Sequence, residues 1–206
     1  MKIYLIRHGQ TDWNLQGRIQ GSHDIPLNET GLKQAECLAQ GMKNHPVKKI
    51  FCSTLKRALA TAEVLGTIQN TQIIEKQQLI EVEFGEWEGL TWDEIQKTYP
   101  KEYRHWSLRP AESAPPGGES QSEILNRCRQ VVKEIISETG GREDAAVVSH
   151  GATLAYLLTC MLKPNSLEES IIVENASITT VNYQPLTEDF MLLDRNDTAH
   201  LTGSFS

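Results

Sequence analysis

The sequence has no apolar run long enough to cross a membrane. A membrane-spanning helix needs roughly 18 or more consecutive apolar residues, and the most continuous apolar stretches here are as short as residues 154–158. The apolar segment at the N-terminus stops at Arg7 and His8, too soon for a secretory signal peptide, and no small-residue cleavage site accompanies it. We therefore expect a soluble, cytoplasmic protein without a membrane partner.

Cysteine is also scarce, and its spacing argues against a disulfide scaffold or a cysteine-based metal site. The chain has 4 cysteines, Cys37, Cys52, Cys128 and Cys160, which are widely spaced and form no C-x-x-C pair. We predict that they are reduced and mostly buried. An H-E-x-x-H motif and a cluster of aspartates are absent as well. The sequence therefore predicts no metal and no cofactor.

Basic residues are in the minority. The chain has 20 Lys and Arg against 27 Asp and Glu, which gives a formal net charge of −7. Such a balance argues against a protein that binds nucleic acid or anionic membrane through its overall charge. Any anionic ligand must therefore be held by a local basic site.

The length and composition are those of one globular domain. Of the 206 residues, 39% are hydrophobic and 23% are charged, a balance that can bury a core. We predict a single domain over residues 1–206. Residues 90–118 are expected to form an irregular insertion or lid, because prolines and glycines are concentrated between residues 100 and 118.

Short apolar segments alternate with amphipathic helical patterns along the chain. Strands are predicted at residues 3–6, 49–52, 72–75 and 144–148, with a strand pair at 176–183 and 190–195. Helices are predicted at residues 30–43, 53–66, 91–99, 119–138 and 152–162, the last ended by Pro164. This alternation predicts an α/β fold of three layers, in which a mostly parallel central sheet is flanked by helices on both faces.

Polar residues that could bind a ligand or take part in catalysis follow the predicted strands. In a parallel sheet the ligand lies beyond the carboxyl ends of the strands. Arg7 and His8 follow the first strand, Arg57 lies shortly after the second, Glu81 a few residues after the third, and His150 after the fourth. We therefore expect two histidines, two arginines and a carboxylate to meet at one edge of the sheet.

These residue types point to phosphoryl transfer. Two arginines in a net acidic protein imply an anion that is held in bidentate geometry, with phosphate the better candidate. Helices that start after Ser53 and after Gly151 would add backbone donors. A histidine whose tautomer is fixed through one ring nitrogen can attack phosphorus through the other. A carboxyl group can protonate the leaving oxygen and later deprotonate water.

An ordered series of motifs connects these residues. They are Arg7-His8-Gly9, Ser53-x-Leu55-x-Arg57, Glu81-x-x-Phe84-Gly85, Pro116-Gly117-Gly118-Glu119 and Ser149-His150-Gly151. The series, over about residues 3–195, resembles the histidine phosphatase superfamily, the phosphoglycerate mutase-like proteins. By that resemblance His8 would be the phosphorylated nucleophile, and Arg7, Arg57 and His150 would hold the phosphoryl oxygens.

The resemblance also assigns the other site residues. Glu81 would be the proton donor rather than Glu83, because the family's Glu-x-x-aromatic-Gly spacing begins at Glu81. Asn14 would help to hold the phosphoryl group. Gln20, Gly21 and Gly151 would contribute to substrate binding. No metal is implied, since the arginines already supply positive charge.

The resemblance covers both phosphatases and mutases. Mutases usually carry a longer insertion and more basic residues after the loop with the proton donor, which is the acid loop (residues 79–89 here), whereas residues 90–115 here are compact. We therefore expect a metal-independent phosphatase of the phosphatase branch, acting on a small phosphorylated metabolite. Phosphoglycerate mutase activity, α-ribazole phosphatase as the specific activity, and a catalytically idle module that only binds phosphorylated ligands are the alternatives. The oligomeric state stays open, with a homodimer as one alternative.

Overall fold

A six-stranded mixed sheet runs through the described part of the chain, which comprises residues 1–162 and 173–202 of a computed structural model. The strands are β1 (Lys2–Arg7), β2 (Lys49–Cys52), β3 (Ile73–Glu75), β4 (Ala145–Ser149), β5 (Ile178–Gln184) and β6 (Asp189–Asp197). Their order is β3-β2-β4-β1-β5-β6, with β1 to β4 parallel and β5 and β6 antiparallel to their neighbours. The predicted mostly parallel sheet is confirmed.

Helices cover both faces of this sheet. Those in the described residues are α1 (Asp12–Leu15), α2 (Glu29–Gly41), α3 (Lys56–Gln69), α4 (Trp92–Thr98), α5 (Pro100–Leu108), α6 (Gln121–Glu138) and α7 (Gly151–Met161). The predicted end of the last helix, Pro164, lies outside the described residues. None of the described helices is long and apolar enough to span a membrane.

The inner strands β1 and β4 are apolar on both sides because helices cover both faces of the sheet there. Ile3 and Leu5 of β1 belong to the core under α6 and α7, whereas Tyr4 and Ile6 belong to the core under α2 and α3. Every residue of β4 is buried. Such continuous burial explains why these strands appear as unbroken Val/Ile/Ala runs rather than as alternating patterns. The three-layer prediction is confirmed.

The prediction of irregular structure over residues 100–118 was wrong for the first half of that segment, where α5 forms. Pro100 occupies the first helical position, where its missing N–H is not needed for a helical hydrogen bond. The rings of Trp87 and Trp106 lie 5.4 Å apart edge to face, and those of Trp92 and Trp106 stack at 5.7 Å. Aromatic packing therefore orders a segment whose prolines indicate a loop.

The loop after β1 is fixed by a close contact between two glycines. A Cβ on Gly31, in the first turn of α2, would lie 2.1 Å from the carbonyl oxygen of Gln10. A Cβ on Gly9 would lie 2.4 Å from the carbonyl oxygen of Gly31. Gln10 N also donates to Gln34 Oε1 at 2.8 Å. The loop that carries His8 is therefore held directly against α2.

Replacing Gly31 by alanine is expected to lower the free energy of unfolding by about 1–3 kcal/mol, the usual range for overpacking. The backbone contact outweighs the roughly 1 kcal/mol that alanine gains in helix propensity. Urea denaturation measures the change. Lys33→Ala, at an exposed position of the same helix, is the control and should stay within about 0.5 kcal/mol. Equal stabilities of the two variants would contradict the tight contact.

Candidate active site

The predicted site residues converge at the carboxyl ends of the parallel strands. Arg7 lies opposite Ser149 in the pairing of β1 with β4, so His8 and His150 leave the sheet side by side. Their ring centroids are 5.1 Å apart. A cleft of about 340 Å³ at this edge is lined by, among others, Arg7, His8, Asn14, Gln20, Gly21, Glu81 and Gly151. Arg57 and His150 lie deeper, each with no exposed surface.

His8 is held in one tautomer. Its Nδ1 lies 2.6 Å from the carbonyl oxygen of Gly9, which can only accept a hydrogen bond. Nδ1 therefore carries the proton and Nε2 keeps a free lone pair. Burial, followed by the charges of Arg7 and Arg57, lowers the pKa of His8 well below its usual value. The ring is therefore neutral at physiological pH, with a nucleophilic nitrogen available.

His150 has the opposite tautomer. Arg57 Nε donates to its Nδ1 at 3.1 Å, so the proton lies on Nε2, which is 2.8 Å from Ser53 Oγ. Burial and the charge of Arg57 lower the pKa of His150 well below its usual value. In this geometry His150 donates to Ser53. It would reach a phosphoryl oxygen only by exchanging that hydrogen bond.

Arg7 lines the cleft and has one buried donor without a partner among the described residues. Its Nη1 donates to the carbonyl oxygen of Val173, whereas its Nε is buried and has no partner among the described residues. Gly151, the first residue of α7, lies directly beside this guanidinium, because a Cβ there would be 3.5 Å from Nε. An unpaired cationic donor next to a helix N-terminus favours an anion at this point.

Glu81 lies at the N-terminus of α7. Its Oε1 accepts from Thr153 N at 3.0 Å, and its Oε2 accepts from Ala152 N at 3.4 Å. Val82 N donates to Oε1 at 3.0 Å. These contacts keep the carboxyl group in the wall of the cleft. The side chain of Glu83, by contrast, is exposed and does not line the cleft.

Asn14 and Gln20 present amide NH₂ groups to the cleft. Asn14 Oδ1 accepts from Thr11 N and from Asn175 Nδ2, both at 3.1 Å. Gln20 Oε1 accepts from Thr11 Oγ1 at 3.0 Å. Because their oxygens are occupied, the nitrogens of both side chains remain as donors for a ligand.

Gly21 is required by its surroundings. Its φ of +49° is in the left-handed region, and a Cβ there would lie 1.9 Å from Glu88 Oε1. Its carbonyl oxygen accepts from Arg57 Nη2 at 2.9 Å. Glu88 Oε1 in turn accepts from the backbone N–H groups of Ser22 and Phe84 at 3.0 Å. This carboxylate therefore connects the Gly21 loop to the loop that carries Glu81.

Sequence reasoning missed several residues that shape the site. Asn175 Nδ2 donates to the carbonyl oxygen of His8 and to Asn14 Oδ1, both at 3.1 Å. Arg18 lines the cleft, with Nη1 on the carbonyl oxygen of Gly89 at 2.6 Å and on Glu94 at 3.0 Å. The only available signal for Asn175 is its place just before β5, which pairs with β1. Arg18 has no comparable signal.

The cysteines are reduced, and the described residues contain no cluster of potential metal ligands. All 4 cysteines are free, with Cys52 and Cys128 buried and the other two partly buried. Burial raises the pKa of both the Cys52 and the Cys128 thiols. No group of three or more His, Cys, Asp or Glu side chains in the described ranges is placed to hold a metal ion.

Comparison with known proteins gives a consistent result. The family model of the histidine phosphatase superfamily (branch 1) matches residues 3–197. Phosphoserine phosphatase 1 of Hydrogenobacter thermophilus is 31% identical, over 100% of this chain and 96% of that protein. Probable phosphoglycerate mutase GpmB of Yersinia pestis is 31% identical, over 98% and 95%. A mycobacterial glucosyl-3-phosphoglycerate phosphatase, solved with VO3, has a TM-score of 0.85 and 31% identity, over 96% and 99%.

The two buried histidines predict a loss of stability in acid. The unfolded state takes up a proton on each histidine below about pH 6.5, whereas the lowered pKa values keep both rings neutral in the folded state. Their contribution is therefore fully present above about pH 6.5 and is lost as the pH falls. We expect His8→Gln to reduce the pH slope of the unfolding free energy by about 1 kcal/mol per pH unit between roughly pH 6 and 5.

Denaturant titrations at several pH values provide this measurement. His105→Gln is the matched control, because His105 is exposed on α5 and its ring is solvated in both states. The control should keep the slope of the unaltered protein. An equal slope in His8→Gln would show that His8 already carries a proton in the folded state.

Proposed function

The chain belongs to the histidine phosphatase superfamily, and on that premise we propose that it hydrolyses small phosphomonoesters through a phosphohistidine on His8. The observation that supports this most strongly is the hydrogen bond from His8 Nδ1 to the carbonyl oxygen of Gly9. It leaves Nε2 unprotonated in a cleft that also contains Arg7 and the N-terminus of α7. Nucleophile and anion-binding groups thus share one small site.

The first chemical step transfers the phosphoryl group to the enzyme. The lone pair of His8 Nε2 attacks phosphorus, the N–P bond forms, and the bond from phosphorus to the ester oxygen breaks. The leaving oxygen takes the proton from the carboxyl group of Glu81. Arg7 and the amide groups of Asn14 and Gln20 stabilise the oxygens of the transferring phosphoryl group. Arg57 contributes its buried positive charge, and His150 contributes a hydrogen bond once it has exchanged its bond to Ser53.

The second step releases inorganic phosphate. Water attacks phosphorus as the carboxylate of Glu81 takes one of its protons, and the N–P bond breaks. His8 recovers its lone pair and Glu81 its proton, so the enzyme returns to its starting state. We propose that no metal takes part, since Arg7 and Arg57 supply the positive charge.

We further propose a domain organisation and a cellular location for this chemistry. Residues 1–206 would act as one catalytic domain, in which residues 90–118 form an insertion beside the cleft. Trp92 of that insertion is part of the cleft wall. Four free cysteines are typical of a reducing compartment, which supports a cytoplasmic location.

Phosphoglycerate mutase is the second candidate, favoured by the similarity to a protein of that name. A mutase must hold an intermediate with two phosphoryl groups, which calls for additional unpaired basic side chains. The second arginine that lines the cleft, Arg18, is already paired with Glu94 at 3.0 Å. This pairing favours the phosphatase. Release of phosphate from 3-phosphoglycerate without formation of 2-phosphoglycerate would support that choice.

Trapping the covalent intermediate tests the proposed function. Quenching with denaturant at alkaline pH during turnover of a labelled phosphomonoester should leave on His8 a phosphoryl group that later acid treatment removes, with EDTA present throughout. His8→Ala should abolish the label, because no other free imidazole nitrogen lines the cleft among the described residues. His105→Ala serves as the control and should retain it. Label that persists in His8→Ala would contradict a nucleophilic His8.

Glutamine at position 81 tests the proton donor. Glu81→Gln keeps the shape of the side chain but has no acidic proton, so turnover of an alkyl phosphate should fall by roughly 10² to 10⁴. A nitrophenyl ester needs less protonation, and its phosphorylation step should fall much less. Single-turnover kinetics separates this step from hydrolysis of the intermediate. If Glu83→Gln showed the selective loss instead, the proton donor would be Glu83.

A further inference from the structure

A second cavity adjoins the active-site cleft. It has a volume of about 200 Å³, and its wall includes the apolar and aromatic side chains of Val82, Trp106, Ile124 and Tyr156. Phe84, Trp92 and Ala152 line both this cavity and the cleft. The two spaces therefore lie side by side, separated by these shared residues, and we name the second one the aromatic pocket.

The polar groups in the wall of the aromatic pocket are already paired. Both oxygens of Glu119 accept from Arg127, at 2.6 and 2.9 Å. Ser113 Oγ donates to the carbonyl oxygen of Arg109 at 2.7 Å. Within the described ranges, the buried side-chain N and O atoms without a partner are Arg7 Nε, Trp87 Nε1 and Ser177 Oγ, and these residues do not line the pocket. The carboxylate of Glu119 and the hydroxyl of Ser113 therefore keep their hydrogen bonds when an apolar group occupies the pocket.

The pocket opens beside the carboxyl group that is proposed to protonate the leaving oxygen. Ala152, which is shared by the two walls, donates its N–H to Glu81 Oε2. Val82, another wall residue, directly follows Glu81 and donates to Oε1. An ester whose phosphorus faces His8 and whose leaving oxygen faces Glu81 would therefore place the rest of its alcohol at the mouth of the aromatic pocket.

The size of the pocket limits what can enter. Pockets for drug-sized ligands begin at roughly 300 Å³, and a volume of about 200 Å³ is enough for one ring-sized group. The partly exposed ring of Trp92 stacks on Trp106 at 5.7 Å, and a third ring beside this pair would gain aromatic contacts. The site therefore favours a single compact ring over an extended chain or a sugar.

We infer that the aromatic pocket binds the leaving group of the substrate. The favoured substrates are phosphomonoesters of an alcohol that carries one aromatic or similarly compact apolar ring. This inference rests on the proposed function, because it assigns the aromatic pocket to the alcohol that leaves phosphorus during hydrolysis. The family and its chemistry do not require it, since the phosphoryl site is the same for any alcohol.

Two esters with equally poor leaving groups provide the test. Both 2-phenylethyl phosphate and ethyl phosphate release a primary alcohol and differ by the ring. We expect kcat/KM for 2-phenylethyl phosphate to be at least about tenfold higher, as is typical for a group that fills an apolar pocket. Ser113→Trp places a bulky side chain in the pocket wall and should lower this ratio towards one. Leu108→Trp, at an exposed position that does not line the pocket, should keep it.

A binding measurement makes the test independent of turnover. The non-hydrolysable 3-phenylpropylphosphonate should change the tryptophan fluorescence and bind at least about tenfold tighter than propylphosphonate, because its ring contacts Trp92 and Trp106. If Ser113→Trp fails to fold, Trp106→Leu replaces it, and the preference for the ring should again fall.

The outcomes separate the two proposals. Hydrolysis of both esters with equal kcat/KM, or a preference that Ser113→Trp and Trp106→Leu leave intact, would overturn the aromatic pocket and leave the phosphatase in place. If neither ester is hydrolysed, the proposed function fails. In that case equal binding of the two phosphonates would overturn the pocket as well, and tighter binding of 3-phenylpropylphosphonate would support it.

Discussion

A buried arginine charge holds the parts of the candidate active site together. The side chain of Arg57 has no exposed surface, and a charge in such a place is costly unless its donors are paired. Nε bonds to His150, while Nη1 and Nη2 bond to the carbonyl oxygens of His23 and Gly21 at 2.6 and 2.9 Å. Burial lowers the pKa of Arg57 to about 10, so the group remains charged at neutral pH. All three partners are neutral, which leaves a net positive charge under the cleft.

Much of the site could be predicted because its residues stand directly after strands. Period and composition identify β1, β2 and β4, and the parallel arrangement brings Arg7, His8 and His150 to one edge. Asn175 could not be found in this way, since it is 161 residues from the Asn14 side chain that it holds. Helix α5 was missed for a local reason, because Pro100 indicates a break in sequence yet is well tolerated at the first helical position.

The loop that carries His8 and the outer wall of the aromatic pocket come from different parts of the chain. The residues around His8 belong to loops that the sheet and α2 hold in place, as the contact of Gly9 with Gly31 shows. The aromatic pocket combines the acid loop with Trp92, Trp106 and the first turns of α6 and α7. Changes at Trp106, Pro110 or Ser113, which line the pocket and not the cleft, can therefore alter the shape of the pocket without moving the phosphoryl site. This separation is consistent with the variety of substrates named among the relatives.

The opposite tautomers of His8 and His150 have a consequence for the design of the site. A hydroxyl nucleophile must lose a proton as it attacks and needs a basic partner to receive it. The attacking nitrogen of His8 has no proton to lose, because its ring proton lies on Nδ1 and faces Gly9. The place that a base would take beside the nucleophile is thus free for cationic groups. In a cleft of about 340 Å³, more of the wall residues can then be groups that neutralise the incoming anion.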